Sequence, residues 1–221
     1  MNLTPDPTLI SSEYGCSLII GRSGSGKSFY VKSILRNIKK TEKKTKKIYT
    51  INVNSKEYTD EFSSKITPIS LDQIKTIAKN SYVIVEDVIS MKNAENEQLR
   101  KLINYYCHHS FLKIFIITHN IHKNGIYSLF SFVHYIVFTG TKSNLPILRL
   151  TLTYFKLESK DFEHMIAEFK SKTEIKTIKE QHYFIFDSKH MTFYSFKDDI
   201  YTNLTLENLN LQNKIDNKEK Y

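Results

Sequence analysis

The chain has 221 residues, 40% of them hydrophobic, which is enough for one domain with a sizeable core. Two cysteines, Cys16 and Cys107, with no C-x-x-C pair, exclude a disulfide framework and point to two reduced, buried thiols. The net charge of +9 and a pI near 9.3 call for an anionic partner, nucleic acid first and an anionic membrane second, unless the lysines serve solubility alone.

Residues 1–15 read as a lead-in, with Pro5 and Pro7 opposing helix and no basic, apolar signal sequence. Leu18, Ile19 and Ile20 form a short apolar run of the buried-strand type. Gly21-Arg22-Ser23-Gly24-Ser25-Gly26-Lys27-Ser28 follows and fits G-x-x-x-x-G-K-[ST] at every fixed position. Val31, Ile34, Leu35 and Ile38 then recur at helical spacing, so the motif stands between strand and helix. The glycines let successive N–H groups point inward at phosphate oxygens, and the helix adds its positive end. Lys27 is placed for the β- and γ-phosphates of ATP or GTP, and the Ser28 hydroxyl for Mg²⁺.

The run Lys39–Lys47 is a solvated helix end and loop or a phosphate-contact patch. Ile48–Val53 is β-branched and aromatic, a second strand. Ile66–Ile69 predicts a short strand, and Ser70 caps a helix over Leu71–Ala78. Tyr82–Val85 is a continuous apolar strand that ends in Glu86-Asp87, the Walker B pattern. One acid there holds Mg²⁺ and the other polarises the attacking water; the order is inverted from the usual one, so their division of labour stays open.

Ala94–Cys107 is a helix closed by His108-His109. The strand Ile114–Ile117 ends in Thr118-His119-Asn120, and Asn120 at its tip is a sensor of the γ-phosphate or a turn residue. The histidine spacing argues against a metal site. Tyr127–Phe132 is a short helix or loop, and Val133–Thr139 a strand. Helices are predicted over Leu145–Phe155 and Ser159–Phe169, then a β-hairpin in which His182–Phe186 and Met191–Phe196 flank a four-residue turn, Asp187–His190. No apolar run approaches the length of a membrane span, so no membrane anchor is expected. The expected layout is a lead-in over 1–15, an ATPase domain over 16–202 and a polar tail over 203–221.

The run from His108 to Thr139, with His-His, Thr-His-Asn and His134-Tyr135-Ile136-Val137, resembles the DNA-packaging ATPases of Maverick/Polinton-like elements and poxviruses, within the FtsK/HerA superfamily. The resemblance covers about residues 16–198. It implies an α/β P-loop NTPase fold with a RecA-like, mainly parallel sheet, in which the strand Lys113–Thr118 lies between the strands carrying the phosphate loop and the acid pair. It also implies a homo-oligomeric ring that drives double-stranded DNA into a capsid, with a capsid or portal partner, inside the host cell at assembly sites. Asn120 would adjoin the γ-phosphate. The inverted Glu86-Asp87 order and His119 depart from the family pattern.

A P-loop motor also needs an arginine for the transferring phosphoryl group. Arg149 is the first candidate, supplied by a neighbouring subunit; Arg100 is second, and Arg22 is the alternative within the same chain. Arg36 is expected to lie too far down its helix. The competing reading is a P-loop protein that is not a motor, such as a small-molecule kinase or a nucleotide-switched scaffold. The small number of arginines disfavours a kinase lid.

Overall fold

The computed structural model describes residues 14–41, 46–53, 58, 61–62, 66–86, 93–119, 127–139, 145–156, 159–171, 182–197 and 200–203. β1 (Gly15–Ile20) leads through the glycine-rich loop into α1 (Lys27–Thr41). β2 (Ile48–Ile51), β3 (Ile66–Pro68), a 3₁₀ segment (Leu71–Thr76) and β4 (Tyr82–Val85) follow. The next helix, α2, runs as Asn93–Lys101, widens into a π turn at Leu102–Tyr106 and closes as Cys107–His109. Then come β5 (Lys113–Thr118), α3 (Tyr127–Phe130), β6 (Tyr135–Thr139), α4 (Leu145–Tyr154), α5 (Ser159–Ser171), β7 (Tyr183–Asp187), β8 (Thr192–Lys197) and β9 (Ile200–Asn203).

The strands form one sheet in the order β3-β2-β4-β5-β1-β6-β7-β8-β9. The first six in that order are parallel and the last three antiparallel. β5 therefore lies between β1 and β4, the strands that carry the phosphate loop and Glu86. All six residues of β1 and of β5 are buried, as expected of central strands covered on both faces. Because side chains alternate, Leu18 and Ile20 point to one face and Ile19 to the other. On the Ile19 face, α1 packs Tyr30, Val31, Ile34, Leu35 and Ile38 against Ile84, Phe115 and Ile117. On the opposite face lie Leu99 and Ile103 of α2, Leu148 and Leu152 of α4, and Met165 and Phe169 of α5. No helix among the described residues is long and apolar enough to cross a membrane.

The structure differs from the sequence reading at several boundaries. Leu71–Ala78 does not form an α-helix: the Ile77 N–H closes on the Ile74 carbonyl, and Ile77 is already extended. Two turns are too few to stabilise an α-helix, and the chain must drop at once to Tyr82 through Asn80 in a left-handed conformation (φ 55°). The π turn in α2 joins the Cys107 N–H to the Leu102 carbonyl. The wider turn brings Cys107 over Leu102 and into the core, where a regular helix would have swung it away. In the hairpin, Asp187 belongs to β7 and Met191 to the turn, one residue later than expected. β9, for which the sequence suggested no element, pairs with β8.

Candidate functional site

The parallel strands end together at one edge of the sheet, and the glycine-rich loop leaves β1 there. Gly24 and Gly26 hold φ of 72° and 82°, a left-handed backbone natural to glycine. Gly21 is required for a different reason: a Cβ there would overlap Thr139 Oγ1 and Ser25 Oγ. Thr139, at the tip of β6, sets its hydroxyl 3.0 Å from Ser25 Oγ and 3.4 Å from the Ile20 carbonyl oxygen. The loop is tied internally by the Ser25 N–H on the Arg22 carbonyl (3.1 Å), and α1 begins with the Tyr30 N–H on the Gly26 carbonyl (2.9 Å). The Tyr183 hydroxyl, from β7, donates to the same Gly26 carbonyl at 3.0 Å. Burial among apolar neighbours, Tyr30 included, pushes the Tyr183 phenol well above its ordinary pKa, so it stays a neutral donor.

Lys27 is only 5% exposed. Its Nζ donates to the Arg22 carbonyl at 2.8 Å and lies 3.0 Å from His119 Nδ1. An ammonium has only donors, so Nδ1 is the acceptor and a neutral His119 carries its proton on Nε2. A cleft of about 470 Å³ opens here, lined by the loop from Ser23 to Ser28 and by Glu86, Ile117 and His119. It extends along α1 past Phe29 and Lys32 to Arg36. Glu86 accepts a bond from the Tyr58 hydroxyl (3.3 Å), and its own N–H is held by the Ile51 carbonyl (3.1 Å). The cleft thus joins a donor-rich loop, a lysine and a carboxylate, a set suited to a phosphate chain and its counter-ion.

The structure brings Gly24, Gly26, Ser23, Ser25, Lys27, Ser28 and Glu86 to this one cleft. Asp87 and Asn120 lie outside the described residues. Arg22 is exposed and gives the loop its carbonyl. Arg149 is exposed on α4, and Arg100 on α2; both helices cover the face opposite α1, so neither arginine lines this cleft. Arg36 does reach its rim, but the guanidinium makes two bonds to Glu61, at 2.8 and 2.6 Å, and lies over Phe29. That pairing holds the Glu61 carboxyl below its usual pKa.

Sequence reasoning passed over Thr139, Tyr183 and the contact of His119 with Lys27. For His119 a signal existed: it follows β5, and a parallel strand beside β1 must end beside the loop. For Thr139 and Tyr183 there was none, because only the pairing of β6 with β1 and β7 brings them to the loop.

The fold and the loop define a P-loop NTPase of the α/β class. A model of the RNA helicase family matches residues 17–118, from β1 to the end of β5. No curated protein matches the chain at a significant level. Among solved structures, the DNA-packaging ATPase B204 from Sulfolobus Turreted Icosahedral Virus superposes with a TM-score of 0.57 at 13% identity, over 84% of this chain and 98% of that one. The genome packaging NTPase B204 from Sulfolobus turreted icosahedral virus 2, in complex with sulfate, gives 0.59 at 14%, over 84% and 97%. The same NTPase with AMPPCP gives 0.52 at 15%, over 87% and 98%. At these identities the likeness is one of fold.

Proposed function

We propose that the chain is an ATP-hydrolysing motor, of the FtsK/HerA kind, that moves double-stranded DNA into a viral or virus-like capsid inside the host cell. The observation that carries the reading is the cleft in which Lys27, Ser28, Glu86 and His119 meet the phosphate loop at the end of the parallel strands. The likeness in fold to genome-packaging NTPases and the charge of +9 support the choice of cargo.

In this reading the loop N–H groups and Lys27 hold the phosphates of ATP. The Ser28 hydroxyl and the Glu86 carboxylate line the same cleft and fit Mg²⁺, which takes few protein ligands and keeps waters and phosphate oxygens for the rest. When bound, the ion neutralises charge between the terminal phosphates. Asp87 or Glu86 polarises the attacking water, and Asn120 reads the γ-phosphate. His119 is a positioning residue that keeps the Lys27 ammonium on the loop until phosphate oxygens replace its acceptors. Arg149 stands on the face away from its own cleft, so in this reading it is offered to a neighbour's cleft within a ring, with Arg100 second and Arg22 the alternative within the same chain.

The test is ATP turnover with and without duplex DNA. Wild-type protein should hydrolyse ATP faster with DNA, and Lys27→Ala should lose hydrolysis and most ATP affinity. Turnover that is absent, or unchanged in Lys27→Ala, overturns the reading.

A further inference from the structure

The edge of the sheet opposite the cleft has a character of its own. β2, β4, β5, β1 and β6 all start there, and β7 ends there, as their pairing requires. Two hollows open along it. One, of about 150 Å³, lies between Tyr14, Phe111 and Tyr82, with Lys46 and Lys113 in its wall. The other, of about 400 Å³, has His108, His134 and Lys189 beside Phe132. Among the described residues, no carboxylate lines either hollow. Asp187, at the same edge, is buried and already accepts bonds from His190 and from the N–H groups of Lys189 and His190.

The aromatic groups here are exposed: Tyr14 46%, Phe111 51% and Phe132 40%. Tyr14 stands edge-on to both Phe111 and His108, and Lys46 lies over Tyr82 at 5.3 Å. Two exposed apolar side chains at this edge also sit on left-handed backbone, Phe111 (φ 52°) and Met191 (φ 54°). Glycine or asparagine suits such positions better, so local stability does not account for a large side chain there.

We propose that this edge is a nucleic-acid surface that grips an unpaired strand, with phosphates on Lys46 and Lys189 and bases stacked on Tyr14, Phe111 and Phe132. Cations interleaved with exposed aromatic rings are the chemistry that holds single strands. The inference rests on the reading of the chain as a nucleic-acid motor for its setting, but it concerns a surface remote from the ATP cleft and a strand with free bases rather than duplex.

Fluorescence anisotropy of the full chain tests it, with a labelled oligothymidine and a duplex of equal length. Oligothymidine should bind more tightly than duplex. Phe111→Asn combined with Tyr14→Ser should weaken oligothymidine by about tenfold or more. Phe111→Asn alone should raise the melting temperature, which separates lost binding from lost folding. Lys46→Glu with Lys189→Glu should weaken binding and flatten its salt dependence. Lys27→Ala should bind oligothymidine as wild type does, because the two sites are separate. Absent oligothymidine binding at low salt, equal affinity for duplex, or wild-type binding in the aromatic variants overturns the proposal. Strand binding in a protein that hydrolyses no ATP would instead remove the motor reading and leave this surface standing.

Discussion

At Gly21 the place of a side chain is already taken by two hydroxyls, from Thr139 and Ser25. Gly21→Ala should therefore push β6 away from the loop and destabilise the fold by about 1–3 kcal/mol, seen as a lower melting temperature together with weaker nucleotide binding. Thr139→Val keeps the volume and removes the hydroxyl, so it should lower nucleotide affinity with a smaller loss of stability. His119 offers a separate test. Asparagine at this position retains an acceptor for Lys27 and alanine does not, so His119→Ala should slow turnover by about tenfold, the worth of one charged hydrogen bond, and His119→Asn by much less. Equal rates in the two variants would show that the contact with Lys27 carries no function.

The individual elements show what could be read in the chain and what could not. The phosphate loop, β4 with Glu86, and β5 were legible because each joins a buried apolar run to a polar tip, and that pattern is local. The 3₁₀ segment was not, because Leu71, Ile74 and Ile77 recur at a spacing that one tight turn shares with a helix. The π turn was hidden because its single extra residue pays off only against the core that receives Cys107. The buried thiols lead to a prediction at the same scale. Burial pushes Cys107 up to about 12 and Cys16 well above its ordinary value. Their folded-state pKa values are raised, so their contribution is complete below about pH 8, where unfolded thiols begin to ionise, and falls as pH rises toward the folded values. Unfolding in urea should show stability declining from pH 8 to pH 10, with a shallower decline in Cys107→Ala. A native chain should leave both thiols unreacted with an aromatic disulfide reagent, and a denatured one should titrate both.

At the scale of the whole molecule, ATP is proposed to enter at one edge of the sheet and to take its arginine, Arg149, from a neighbouring subunit. Arg149→Ala should keep ATP binding and lose hydrolysis. Mixing it with Lys27→Ala subunits should restore part of the activity, because one interface then pairs an intact loop with an intact arginine. Mixtures that assemble yet stay inactive would exclude Arg149 as the shared group. The bond from Tyr183 to the Gly26 carbonyl carries a further consequence, for the order in which a chain is made. It joins residues 157 positions apart in the sequence. A ribosome releases the phosphate loop early and Tyr183 late, so a nascent chain already holds the whole motif while β6 still lacks its neighbour β7. Until the hairpin arrives, β6 is a bare edge open to pairing with other chains. Polypeptides halted before Tyr183 should therefore bind ATP weakly and aggregate, and full-length chains should gain ATP affinity only as their last strands dock.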